Sequence, residues 1–353
     1  MGFWNWIVST IAGEDDTPES RTGDRTPSTG GVAVLETDSP AVADEEAIEP
    51  HSWWAPEGAS RRERGPVECP DLPPEARAVE NLLVSHFDGH DLTLPSLPRV
   101  AENVLHRLGG TDCSFARIAE DIAEDQVMAA TVLRMANSPL YRGQEKFTAL
   151  LPAVTRLGAR PLRTLMMQHA LRAATKVHRD VDRELAETIW RRSLAGAMVM
   201  RNLSRFTTVD QEDAFMMGLL HDIGNVVVLR VVSGQETMTR DLIDIDSFEY
   251  LCYECQQEFG ELIATEWKLP SKLQSLIADH HDYPAPDDPL RPERLQLILT
   301  DMILEMIGYA PHVEYDLLNA RVVEDLRLSH NPAFLDALAI LPQQVDDAMS
   351  ALA

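Results

Sequence analysis

Three adjacent His-Asp pairs occur in this 353-residue chain: His90-Asp91, His221-Asp222 and His281-Asp282. A His beside an Asp can offer one cation both an imidazole nitrogen and a carboxylate oxygen. The dipeptide alone says little, so context decides. His221-Asp222 follows the apolar Gly218-Leu219-Leu220 and precedes Ile223-Gly224, which reads as a helix C-terminus closed by glycine. A second pointer is His280-His281, preceded by the apolar Leu276-Ile277-Ala278. A third is Asp301, set inside the apolar run Leu295–Ile307, where a buried carboxylate needs a partner. Either histidine group also has a plainer structural reading, as a hydrogen-bonded core histidine at 221 and a helix-end pair at 280–281. Cys252 and Cys255 supply only two thiolates, while structural zinc takes four ligands and a redox CxxC opens a helix in an α/β setting. They read as incidental helix cysteines. No glycine-rich phosphate loop and no Ser/His/Asp nucleophile grouping is visible in the spacing.

The elements that must carry these residues have helical periodicity. Leu97, Val100, Val104, Leu105 and Leu108 recur at 3–4 spacing until Gly109-Gly110. Ser114 is a plausible N-cap for a helix with Phe115, Ile118 and Ile122. A third helix with Met128 and Val132 ends near Asn137-Ser138, whose side chains are suited to satisfying free backbone groups. Leu151–Leu157 is a short helix closed by Gly158, and Leu162, Leu165, Met166 and Leu171 fit the next. Long helices are expected over Arg183–Arg205 and Gln211–His221, and Val226–Leu229 reads as a buried helical turn. No stretch alternates apolar and polar residues convincingly. The expected fold class is all-α, built by helix packing.

Lys and Arg number 31 and Asp and Glu 57, a formal charge of −26 with a pI near 4.7. That excess disfavours nucleic-acid binding, which needs surplus cations against phosphate. A local basic stretch, Arg156–Arg172, reads as a solvated helix surface. Residues 1–80 carry 17 acidic and 6 basic side chains and a Pro/Gly/Ser/Thr-rich tract, and read as a disordered acidic arm. Trp53 and Trp54 are expected there as an exposed or sticky spot. Phe3, Trp4, Trp6 and Ile7 form an aromatic N-terminal cluster, read either as an ordered end that packs back on the core or as a docking element for a partner protein or, through residues 1–12, for peripheral membrane contact. This end lacks a basic n-region, and Trp6 breaks the myristoylation pattern. No run of about 18 consecutive apolar residues is present. With four cysteines and no disulfide framework, a reducing, cytoplasmic setting is expected.

Residues 94–305 resemble the HDOD domain, the HD-related output domain of bacterial signalling proteins. The resemblance is carried by Leu94-Pro95-Ser96-Leu97-Pro98, Leu133…Asn137-Ser138, Ala153–Gly158, Trp190–Ser193, Phe215…Gly218–Gly224, Gly260…Trp267-Lys268-Leu269-Pro270 and His280-His281. It implies a multi-helix bundle over 81–345, with lobes 81–178 and 179–310 and C-terminal helices over 311–345. Catalytic relatives in the HD phosphohydrolase superfamily place a metal-ligating His just before the Ser of the Trp190–Ser193 helix. Here that position is Arg192, which cannot ligate a cation. Where relatives often have another His, this chain has Gln256. No Gly-Tyr-Pro signature occurs, so cyclic-dinucleotide hydrolysis is not expected. The resemblance therefore implies a degenerate site of Arg192, His221, Asp222, Gln256, His280, His281 and Asp301, with no catalytic residue, metal or cofactor. Arg192 is expected to stand in for the cation and pair with Asp222 or Asp301. The implied role is a non-catalytic signalling module that binds a partner protein or a small ligand. The alternative is a residual phosphohydrolase with a divalent metal on His221, Asp222 and Asp301, His280 assisting.

Overall fold

The computed structural model describes residues 53–54, 72–89, 94–110, 113–138, 141, 146–177, 182–234, 243–311 and 313–350. Among them there are helices and turns but no strand, as the periodicity requires. Helix α1 (Pro74–Gly89) precedes an N-terminal lobe of α2 (Arg99–Gly109), α3 (Phe115–Ala123), α4 (Gln126–Ala136), α5 (Leu150–Leu157) and α6 (Ala159–Ala174). The second lobe comprises α7 (Arg183–Leu203), α8 (Gln211–Leu220), α9 (Asn225–Gly234), α10 (Ile245–Glu266), α11 (Ser271–Ala278) and α12 (Arg291–Met306). A 3₁₀ turn (Leu317–Asn319), α13 (Arg321–Asp325) and α14 (Pro332–Ser350) complete the fold.

Local chemistry sets the helix ends. The Ser114 and Asp125 side chains accept from backbone N–H groups of the first turns of α3 and α4. Asp210 and Asp244 do the same for α8 and α10. Gly158 has φ +77°, a left-handed turn that ends α5 and starts α6. Asn137 donates through Nδ2 to the Leu133 and Phe147 carbonyls, each at 2.8 Å, and accepts the Phe147 N–H at 2.7 Å. That is the backbone-satisfying role expected of it. Ser138 does not share it, because its buried hydroxyl has no hydrogen-bond partner among the described residues.

Helix α7 runs through the middle of the second lobe, packing against α8, α12 and α14. Residues from Leu185 to Leu203 are buried around most of its circumference, so it is a core helix rather than a surface one. Its crossing with α8 is unusually close. A Cβ on Gly218 would lie 2.4 Å from the Gly196 carbonyl oxygen, and one on Gly196 would lie 2.8 Å from the Gly218 oxygen. Only glycine at both positions lets the backbones approach this far. Helices α6, α11 and α12 also pack on α8. The segment Gln211–Gly234 is long and apolar enough to span a membrane, but 89% of its apolar window is buried within the protein.

Two motifs quoted for the family resemblance meet in space. The Trp267 indole N–H donates to the Pro95 carbonyl at 2.7 Å and is buried. The Leu-Pro opening of one lobe is thereby fastened to the end of α10 in the other.

The acidic-arm boundary expected at residue 80 falls inside α1, which begins at Pro74. Ala76, Val79 and Leu83 are buried at 3–4 spacing, and α1 packs on α9 and α10. Trp53 and Trp54 are not an exposed spot either. Trp54 is buried, Trp53 donates its indole N–H to the Leu338 carbonyl at 3.1 Å, and Leu317 N–H donates to the Trp54 carbonyl at 3.1 Å. Phe3, Trp4, Trp6 and Ile7 lie outside the described residues.

The glycine crossing is testable. Gly218→Ala is expected to cost about 1–3 kcal/mol or more through overpacking against the Gly196 backbone. Gly234→Ala, where a Cβ meets nothing within 4 Å, should fall within about 0.5 kcal/mol of the parent. Urea unfolding of both variants checks this, and equal stabilities would refute the close-packing account.

Candidate functional site

Four elements deliver the polar residues to one buried point. Helix α7 supplies Arg192, three residues along the helix from Ile189 and four before Gly196. The turn after α8 supplies His221 and Asp222, the loop after α11 supplies His280 and His281, and α12 supplies Asp301. His221, Asp222, His280 and Asp301 are each no more than 1% exposed. Gly224 holds the turn against α10, for a Cβ there would lie 2.1 Å from the Gln256 carbonyl oxygen.

Asp222 is the hub. Arg192 Nε lies 2.7 Å from its Oδ2, His221 Nε2 lies 3.2 Å from the same oxygen, and His280 Nε2 lies 3.3 Å from Oδ1. His221 Nε2 also lies 3.1 Å from Asp301 Oδ1. Neither Asp222 oxygen makes a well-aligned hydrogen bond. The carboxylate is therefore held by charge more than by directed bonds.

His221 faces only acceptors. Its Nδ1 is 3.0 Å from the Gly218 carbonyl, and its Nε2 sits between two carboxylates. Both nitrogens must carry protons to satisfy that surround, so the ring is an imidazolium. Burial by itself would lower its pKa. The Asp222 and Asp301 carboxylates outweigh burial and push it up to about 10. For Asp222, burial would raise the pKa, but Arg192 and then His221 hold it well below the usual carboxylate range. Arg192 and protonated His221 thus supply two positive charges against the two carboxylates, the charge a divalent ion would bring.

The remaining predicted residues form a second tier. The His280 Nδ1 lies 3.0 Å from the Ile277 carbonyl, to which it donates. Gln256 is buried, and its Nε2 lies 2.6 Å from His281 Nε2. His281 is half-buried and stacks on Tyr253 at 4.7 Å and 13°. All seven predicted residues come together, the last two on the outer side of the cluster. Tyr253 was not among them, although it lies one turn before Gln256 on the same helix, a spacing that could have pointed to it. Glu249 is a second omission. Burial raises its pKa and Arg192 lowers it, so it belongs to the same charge field. Arg294 fixes the loop that carries the histidine pair, lying 3.0 Å from Asp279 and 2.9 Å from Asp288.

Two groups of donors have the chemistry for a divalent ion: His221, Asp222 and Asp301, and Asp222, His280 and His281. In each, the ligand atoms lie within 4.8 Å of one another. As arranged, they do not fit one. Arg192 already lies against Asp222, and His221 has no lone pair to give while it is protonated. An ion would have to displace the guanidinium and a proton together.

Among the described residues, neither cysteine belongs to either donor group. Cys252 and Cys255 are free thiols whose pKa values burial raises, to about 12 for Cys255. Within the basic stretch, Arg160 pairs with Asp210 at 3.0 Å and Arg172 with Glu187 at 3.2 Å.

Fold and site together define a helical domain of the HD type with a buried, charge-balanced His-Asp cluster. More narrowly, the chain belongs to the HDOD family, whose domain pattern matches residues 94–283, more than half of its length. A solved structure of a candidate metal-dependent phosphohydrolase from Shewanella amazonensis SB2B is 18% identical, with a TM-score of 0.61 over 78% of this chain and 99% of that one. An HDOD domain protein of unknown function from Geobacter sulfurreducens is 20% identical, with a TM-score of 0.52 over 77% and 98%. A candidate signal transduction protein from Marinobacter aquaeolei VT8 is 20% identical, with a TM-score of 0.55 over 80% and 66%. At these identities the likeness is one of fold. Among curated proteins, an uncharacterized protein of Treponema pallidum (strain Nichols) is 22% identical over 232 residues. That match covers 62% of this chain and 44% of the relative, so the chain spans less than half of its length.

Arg192→Ala leaves a buried carboxylate without its closest cation, and the expected loss is about 3–5 kcal/mol. Arg192→Met combined with Asp222→Asn should recover part of it, because no charge is then stranded at that contact. Denaturant unfolding of the three proteins checks this, and an unchanged midpoint for Arg192→Ala would exclude a supporting role for the pair.

Because folding raises the His221 pKa, its contribution to stability is complete below about 6.5, the ordinary value, and is lost as pH rises through about 10. Asp222 acts oppositely, contributing above the ordinary carboxylate range and losing that contribution as pH falls through its lowered value. Thermal melts should therefore show a downward alkaline limb between pH 7 and 10.5 that is shallower in His221→Gln. Parallel limbs in the two proteins would mean that His221 is not the titrating group.

Proposed function

We propose that this protein is a non-catalytic signalling module that binds a partner protein, or a small ligand, through its HD-derived region. The observation that carries this reading is Arg192 Nε at 2.7 Å from Asp222 Oδ2, in a cluster whose charges balance without an ion. A water nucleophile at neutral pH needs a Lewis acid or a free general base. Here the guanidinium occupies the hub carboxylate and the imidazole is already protonated. On this reading the cluster holds α7, α8, α11 and α12 in one arrangement, and the domain transmits a conformational state.

In the same proposal, the acidic segment ahead of Trp53 serves as an arm, with residues 1–12 as a docking element for a partner or a membrane surface. The folded unit includes α1 from Pro74 and carries the two lobes and the C-terminal helices. The net charge of −26 supports a partner other than nucleic acid, and free thiols at Cys113, Cys252 and Cys255 fit a cytoplasmic setting.

A residual metal-dependent phosphohydrolase has one observation in its favour. Both Asp222 oxygens and His280 Nε2 are buried without aligned hydrogen bonds, as lone pairs kept for an ion would be. Elemental analysis separates the two. The parent protein is expected to carry no stoichiometric transition metal and to release no phosphate from nucleotides. Arg192→His, which restores an imidazole at the replaced position, is expected to raise metal content. Stoichiometric iron or manganese in the parent, with hydrolysis that chelation abolishes, would reverse the assignment.

A further inference from the structure

Helix α14 carries Pro342 in its interior. Proline has no N–H, so the Leu338 carbonyl, four residues earlier, is left without its helical hydrogen bond. That same carbonyl accepts the Trp53 indole N–H at 3.1 Å. Leu338 is buried, and a buried carbonyl without a partner is costly. The proline thus creates an acceptor in the middle of a helix, and a tryptophan from the far end of the chain fills it.

The neighbouring tryptophan is seated less well. Trp54 is buried beside Trp53, with the two rings edge to face at 5.8 Å and 87°. Its carbonyl accepts the Leu317 N–H at 3.1 Å. Its indole N–H is buried and has no hydrogen-bond partner among the described residues. A buried indole usually finds an acceptor, as Trp267 does on the Pro95 carbonyl. Water would satisfy the Trp54 donor as soon as the segment lifted.

The two indoles therefore pull in opposite directions. Seating gains a directed bond at Trp53 and forfeits one at Trp54, while ring burial favours the seated form. A contact balanced in this way opens more readily than the core of α7, which is buried around most of its circumference.

We propose that Trp53 and Trp54 form a reversible clasp on α14, a conformational switch that opens and closes while the rest of the fold stays intact, with Pro342 as the residue that makes its anchor. The open form leaves the Leu338 carbonyl as a ready acceptor for another N–H donor. The proposal is independent of the role of the Asp222 cluster.

Amide exchange of the full chain, followed by NMR, tests it through the Leu317 N–H, with the amides of α7 as the internal reference. Leu317 is expected to exchange at least about a hundredfold faster than the core of α7, by local opening. Trp53→Phe, which keeps a ring but removes the donor, should speed Leu317 exchange about tenfold, the worth of roughly one net hydrogen bond. Pro342→Ala should do the same, because the new N–H at 342 competes for the Leu338 carbonyl. The two together should be no faster than either alone, since both break one bond. Trp54→Phe should act in the opposite sense and slow exchange, because it removes the unsatisfied donor. The α7 amides should be unmoved in all four variants. Leu317 exchange as slow as that of α7, additive effects of Trp53→Phe and Pro342→Ala, or faster exchange in Trp54→Phe would each overturn the proposal.

Discussion

A buried aspartate that touches a guanidinium and two imidazole rings constrains everything around it. Removing a carboxylate from water costs several kcal/mol unless opposite charge is close by. At Asp222 Arg192 and His221 bring that charge, and His280 Nε2 approaches from a third segment of chain. Each segment is in turn held by something else: the glycine crossing sets α7 against α8, the Gly224 contact sets the turn against α10, and Arg294 fixes the histidine loop. The cluster is thus a keystone for the second lobe, and its chemistry cannot be altered without altering how the helices meet.

The same constraint underlies the proposal that a site with the donor types of a metal centre serves another purpose here. Two carboxylates facing each other across an imidazole demand about two positive charges. A divalent ion meets that demand while leaving the imidazole neutral and an open coordination position for water. A guanidinium plus a proton meets it as well, but ties up the lone pairs that chemistry would use. Electrostatic balance and Lewis acidity are separable, and on the proposed reading Arg192 is where they separate.

Much of this was readable in the residue order. His221, Asp222 and Asp301 were legible because each broke an apolar run, and Arg192 because a cation stood where a ligand was expected. Helix α5 and its glycine stop, the Ser114 cap and the turn role of Asn137 followed from local backbone chemistry. The rest depended on contacts between segments distant in sequence. The start of α1 was hidden because Ala76, Val79 and Leu83 are diluted by the acidic composition around them. Trp54 became a core residue because the Leu317 turn bonds its carbonyl and its neighbour Trp53 bonds α14. Tyr253 joins the cluster through a stack on His281 across 28 residues of chain. The Gly196–Gly218 approach has no one-dimensional signature, since neither glycine sits in a turn.

The Trp53 clasp has a consequence for the order in which the fold assembles. Its hydrogen bond joins residues 285 positions apart, and the entropy of closing so long a loop must be met before that contact returns anything. The clasp is therefore expected to shut only after α14 has packed on α7. The reverse holds on opening. The clasp itself is a single hydrogen bond, and should it part, α14 stays seated on α7 through the buried Phe334, Leu338, Leu341 and Val345 while the keystone cluster stays intact.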